Sequence, residues 1–151
     1  MDLQTLSDRA EITDLLTRYA RAVDRQDWDL FRSVFTPDAR IDYTQVGGIA
    51  GDVEEVAGFL SRVMPMFEAI QHLISNIDTT IDGDEATVVA MVYNPLKLPD
   101  SPVWATGGWY HHELVRTPDG WRSRSLVEEA SWFHGIPEPD KPADDGSAGQ
   151  G

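Results

Sequence analysis

The chain has 151 residues, with 12 basic against 26 acidic side chains, a formal net charge of −14 and 41% hydrophobic residues. That length and apolar content fit one domain with its own core, while the acidic balance, with no local Lys/Arg cluster, speaks against nucleic acid and membrane surfaces as partners. With no cysteine there is no disulfide framework, thiolate nucleophile, iron–sulfur cluster or cysteine zinc site.

The start, Met1-Asp2-Leu3-Gln4-Thr5, lacks the basic stretch and apolar run of a signal peptide, and no segment reaches the roughly 18 apolar residues of a membrane span. A cytoplasmic protein is expected. From Ser7, the apolar residues Ile12, Leu15, Leu16, Tyr19 and Val23 recur at the spacing of one helix face, with Ser7 or Thr5 as N-cap and Asp24 at the end. That carboxylate stands where a helix favours a cation. A second helical stripe, Trp28, Phe31, Val34 and Phe35, comes after Asp27 and is stopped by Pro37. The short link between them predicts a helical hairpin.

Arg40-Ile41-Asp42-Tyr43-Thr44 alternates apolar with polar residues and Gly47-Gly48 punctuates the chain just beyond it, which predicts one or two short strands. A third helix is expected after Asp52, with Val53, Val56, Phe59, Leu60 and Val63 inward and its end before Pro65. Four β-rich runs come next, from Ala69 to Ile81, Ala86 to Leu96, Val103 to Arg116 and Trp121 to Phe133. The tight turns Asp82-Gly83-Asp84-Glu85 and Thr117-Pro118-Asp119-Gly120 make consecutive strands antiparallel neighbours. The expected fold is α+β: a curved, mostly antiparallel sheet forming a cone, packed with an N-terminal helical hairpin and a third helix. Residues 1–136 form the single domain, and 137–151, rich in Pro, Gly and acidic residues, read as a disordered tail.

A cone of this kind holds a small ligand in its mouth, so the polar residues that point inward decide the chemistry. Asp24 and His72 are the first pair to weigh, because an imidazole that takes a proton on one ring nitrogen needs an acceptor for the other. His72 lies in the apolar run Ala69-Ile70-Gln71-His72-Leu73-Ile74. Spacing alone favours a core histidine bonded to backbone beside a surface aspartate in a turn.

The runs Tyr19-Ala20-Arg21-Ala22-Val23-Asp24-Arg25-Gln26-Asp27-Trp28-Asp29, then Pro37, Arg40-Ile41-Asp42-Tyr43 and Gln71-His72, together with Asp119-Gly120-Trp121 at the opening of the last strand, carry a family resemblance. In order and spacing the chain resembles the SnoaL-like and scytalone-dehydratase-like branch of the nuclear-transport-factor-2-like superfamily, from about Leu6 to Phe133. The resemblance implies that Asp24 orients His72 and that His72 abstracts or relays a proton during an elimination. It also implies that Tyr43 and Tyr19 polarise a substrate carbonyl, a task that suits a neutral phenol. Asn94 falls at a functional aspartate of bile-acid dehydratase, and His111 at a pocket asparagine of scytalone dehydratase. Val23 stands where scytalone dehydratase has a further tyrosine.

Strand parity separates Trp109, His111 and Glu113 from Tyr110, His112 and Leu114. Only one of the adjacent histidines can face the pocket, and His111 is the preferred choice because Trp109 beside it offers an aromatic wall, although a half-exposed sheet face explains either histidine equally well. Trp132 and Phe133 join these as candidate pocket residues, with core or subunit interface as the alternative. His72, His111 and a carboxylate match no metal-ligand spacing, so no metal is expected, and the resemblance implies a site that works without metal or organic cofactor.

The expected function is that of a small cofactor-independent lyase or isomerase, dehydratase-like, acting on a hydrophobic, cyclic carbonyl or hydroxylated substrate. The alternatives are a polyketide cyclase and a noncatalytic ligand-binding or assembly module, in which Asp24 and His72 would lie apart and apolar side chains would fill the pocket. The resemblance implies a homo-oligomer, dimer or trimer.

Overall fold

The computed structural model describes residues 1–136, so the expected tail lies outside the described residues. Helix α1 spans Leu3–Asp24 and is capped by Asp2, whose side chain accepts from the Thr5 backbone N–H at 2.8 Å. The cap therefore lies upstream of both Thr5 and Ser7. Ile12, Leu15, Leu16, Tyr19 and Val23 are buried along one face. Gln26 turns the chain with a positive φ of 56°, and Asp27 caps α2 by accepting from the Leu30 N–H at 3.0 Å.

Helix α2 covers Trp28–Arg32 and ends earlier than its apolar stripe predicts. Phe35 opens strand β1, Phe35–Asp42, and Pro37 lies inside that strand rather than closing a helix. Long-range pairing overrides local periodicity here: the Val34 carbonyl accepts from the Ser123 N–H at 2.9 Å and draws the chain into the sheet. Pro37 falls where the register of β1 against the last strand is interrupted, between Phe35 and Arg40, so its missing N–H costs no ladder bond.

Strand β2, Ala50–Asp52, folds back antiparallel on β1, and Asp52 caps α3, Val53–Val63, by accepting from the Glu55 N–H at 2.9 Å. The run expected to be one strand from Ala69 to Ile81 is broken into β3, Ala69–Ile70, and β4, Leu73–Asp82. Both pair with the same edge of β5, Glu85–Lys97. Pro95 explains the break. Its carbonyl accepts from the Gln71 N–H at 3.2 Å, but proline has no N–H to return, and the ladder opens beside His72.

Strands β6, Trp104–Thr117, and β7, Gly120–His134, complete the meander through the expected turns. The seven-stranded sheet has the order β2-β1-β7-β6-β5-β3, with β4 also on β5. It is curved and not closed. All its pairs are antiparallel except β1 with β7. The apolar faces of α1 and α3 pack on the inner face of the sheet, where Val88, Val92, Leu114, Trp121 and Leu126 are buried. Among the described residues no helix is long and apolar enough to cross a membrane.

Candidate active site

Two chain breaks bring Asp24 and His72 together. Asp24 is the last residue of α1, so its side chain leaves the helix at the C-terminal end, while His72 sits in the gap between β3 and β4. His72 Nδ1 lies 2.6 Å from Asp24 Oδ1, and the His72 backbone N–H, released from the ladder, donates to Asp24 Oδ2 at 3.0 Å. The imidazole is 7% exposed and the carboxylate 23%. Both carboxylate oxygens are thus engaged, which compensates for a negative charge at the unfavourable end of the helix dipole.

With Nδ1–H donated to Asp24, His72 Nε2 keeps its lone pair. The Asn94 amide, on β5, donates to it at 3.1 Å. Asn94 Oδ1 is buried without a partner.

A cavity of about 140 Å³ opens beside this nitrogen. Its polar wall comprises His72, Asn94, Thr106, Glu128 and three phenols, Tyr19, Tyr43 and Tyr110. Phe59, Leu60 and Val63 of α3, with Met64, Phe67 and Leu96, give the apolar wall. Tyr43 comes directly after β1 and is clamped by its loop: its N–H donates to the Ile49 carbonyl and its carbonyl accepts from Gly48, both at 2.9 Å. A Cβ on Gly48 would collide with that of Tyr43, so only glycine fits beneath the ring.

The Tyr19 and Tyr43 hydroxyls are 2.5 Å apart, and the Tyr110 hydroxyl is 3.5 Å from that of Tyr19. Burial pushes all three phenol pKa values well above the ordinary range, so they stay neutral donors. Glu128, 6% exposed, faces them from β7, and burial pushes its carboxyl up to about 7.

Of the residues read as site candidates, Asp24, His72, Tyr19, Tyr43 and Asn94 converge here. The others do not. Trp109 and His111 lie on the outer face, where Trp109 pairs between Met91 and Glu129 and His111 Nε2 lies 3.3 Å from Glu129 Oε2. Trp132 covers Gly107 on that face and stacks at 5.9 Å on Tyr93. Phe133, at the end of β7, is 44% exposed. The inward histidine of β6 is His112, yet it lies in the core below the cavity, paired with Ser123 Oγ at 2.9 Å. Among the described residues no cluster of His, Asp or Glu could hold a metal ion.

The SnoaL-like domain family matches residues 4–127. The chain belongs to this family. An uncharacterised protein of Mycobacterium tuberculosis strain H37Rv is 38% identical over 130 residues, covering 85% of this chain and 88% of the relative. A crystal structure from Kribbella flavida is 35% identical with a TM-score of 0.79, over 86% of this chain and 95% of that one. The hexachlorocyclohexane dehydrochlorinase LinA-type3 of Novosphingobium barchaimii has a TM-score of 0.76 at 21% identity, over 91% of this chain and all of that one. This SnoaL-like protein therefore shares a dehydrochlorinase's fold.

Two cavity residues of the SnoaL-like chain, Tyr110 and Glu128, are not marked by sequence pattern. Tyr110 stands in the strand parity set opposite Trp109 and His111, and Glu128-Glu129 reads as a solvated pair. The signal that finds them is register: Ala90, Tyr110 and Glu128 are directly paired across three strands on the inner face.

Proposed function

We propose that this SnoaL-like protein is a cofactor-independent lyase or isomerase in which His72 Nε2 removes a proton from carbon beside a carbonyl group. Asp24 holds the ring in the tautomer that leaves Nε2 basic, and it stabilises the imidazolium that forms. Tyr43 and Tyr19 donate to the carbonyl oxygen as it becomes enolate-like, without charge of their own before reaction. The Asn94 amide yields Nε2 to the substrate, and its unpartnered Oδ1 accepts from a substrate hydroxyl. The single observation that carries the reading is the doubly anchored Asp24–His72 pair whose Nε2, held by the Asn94 amide, borders a cavity lined by phenols.

The volume narrows the substrate. A cavity near 150 Å³ holds one benzene ring, so about 140 Å³ admits one ring of that size, with larger substituents projecting through the mouth. That favours a monocyclic carbonyl head over a folded polyketide chain. The Asp24–His72 contact at 2.6 Å and the open cavity support this reading over the scaffold alternative, which expects the two residues apart and the pocket filled.

The test is a screen of cyclic hydroxy ketones and enolisable ketones with wild type, His72→Ala and Asp24→Asn. His72→Ala is expected to abolish turnover with the fold intact by circular dichroism, and Asp24→Asn to lower kcat by about 10²–10⁴-fold. Activity retained in His72→Ala would sink the mechanism.

A further inference from the structure

Glu128 is the one carboxyl side chain of the described cavity wall, and the Asp24–His72 pair makes no use of it. It projects from β7 between its partner Tyr110 on β6 and the loop that carries Tyr43. The groups facing it are Tyr19 from α1, with Asp24 beyond it, Tyr43 from the end of β1, Tyr110 from β6, and His72 with Asn94 from the β5 edge. Helix α3 contributes only apolar side chains, and no lysine or arginine is among the lining residues. A buried carboxyl without a cation holds its proton. Burial alone moves its pKa up to about 7, the range in which an acid transfers a proton at neutral pH.

We propose that Glu128 is the general acid of the site, donating the proton with which a β-hydroxyl group departs as water, so that the substrates are small cyclic β-hydroxy ketones. The assignment rests on the reading of His72 as base and adds the second half of the reaction. His72 Nε2 takes a proton from the carbon next to the carbonyl, and that electron pair forms the new C=C bond. The C–O bond to the β-hydroxyl breaks with its pair going to oxygen, which takes the Glu128 proton and leaves as water. The products are an enone, water, a histidinium and a Glu128 carboxylate, and one proton passing from histidinium to carboxylate through solvent restores the start. A departing halide needs no proton and gains instead from a cation, which this wall lacks.

The test monitors conversion of 3-hydroxycyclohexanone to its enone by ultraviolet absorbance with the intact protein, Glu128→Gln and His72→Ala. Glu128→Gln keeps the size and polarity of the side chain but carries no transferable proton. Expected are a fall of about 100-fold in dehydration, loss of the wild-type alkaline limb near 7 in kcat/KM, and a deficit at least about tenfold smaller with 3-acetoxycyclohexanone, whose leaving acetate needs no proton.

Unchanged dehydration in Glu128→Gln, or equal deficits on both substrates, overturns the role of Glu128 while leaving His72 as base, provided His72→Ala is inactive. Turnover surviving His72→Ala overturns the base itself, and a wild type inert toward the hydroxy ketone overturns the substrate class. Infrared difference spectra add a readout that needs no turnover. A protonated-carboxyl C=O stretch present at about pH 6, gone at about pH 8 and missing from Glu128→Gln is expected; an ionised Glu128 at about pH 6 overturns the proposal.

Discussion

His112 and Glu128 face the interior from adjacent strands, and burial moves their protons in opposite directions. His112, with Nε2 unpartnered, is pushed down to about 3, so the folded state keeps it neutral while the unfolded chain protonates near 6.5. Its contribution to stability is present above 6.5 and is lost as pH falls toward 3. Glu128 runs the other way: its contribution is present below the unfolded carboxyl pKa and is lost as pH rises through 7. The two slopes nearly cancel between about pH 5 and 6.5 in the wild type. Glu128→Gln removes one of them, and its unfolding free energy in urea is expected to drop by about 2 kcal/mol from pH 6.5 to 5, more steeply than that of the wild type. Parallel pH profiles for the two proteins would show that the Glu128 proton is not moved as described. At the same scale, Tyr43→Phe is expected to lower kcat by about 10²-fold, with the melting temperature shifted by only a few degrees, because one donor to the carbonyl is lost.

The elements are tied to one another by a few polar clamps, of which Asp8 is the most buried. From α1 it accepts two bonds from Arg116 on β6, at 2.7 and 2.9 Å, and one from the Trp121 indole of β7 at 3.1 Å. The guanidinium, lying 4.6 Å from the Trp121 ring centroid, holds the Asp8 carboxyl well below the usual carboxylate range. Asp8→Ala is expected to lower stability in urea unfolding, because it leaves the buried Trp121 indole N–H without its acceptor and Arg116 with Asp84 alone. A loss under about 1 kcal/mol would reduce the clamp to a surface ion pair.

Elements whose causes are local were legible in the sequence: the helix faces of α1 and α3, the two hairpin turns, and the Asp24 and His72 candidates carried by family spacing. What was hidden depends on distant partners. Helix α2 stops where Ser123 takes the Val34 carbonyl, and the strand before β4 breaks because of a proline on another strand. The inner face of β6 was misjudged because the outer face also carries large apolar side chains, Met91, Tyr93, Trp109 and Trp132, so alternation marks two sets without saying which is inside.

Across the whole molecule the formal charge of −14 sets a self-repulsion that the few cross-element ion pairs, such as Arg32–Glu54 at 2.7 Å, do not offset. Raising salt from about 0.01 to 0.15 M is expected to raise Tm, and scanning calorimetry across that range checks it; a falling Tm would mean that surface pairs outweigh the net charge. The parallel pairing of β1 with β7 has a kinetic consequence of its own. It joins an early segment to the last strand, so the contacts that close the sheet are among the most distant in the chain, and closure of that loop is slow compared with forming the hairpins. Glu128 lies in β7 and Asp24 in α1. During synthesis the proposed site of Asp24, His72 and Glu128 therefore cannot assemble until β7 has left the ribosome, and a chain halted before it carries the Asp24–His72 pair without the strand that completes its chamber.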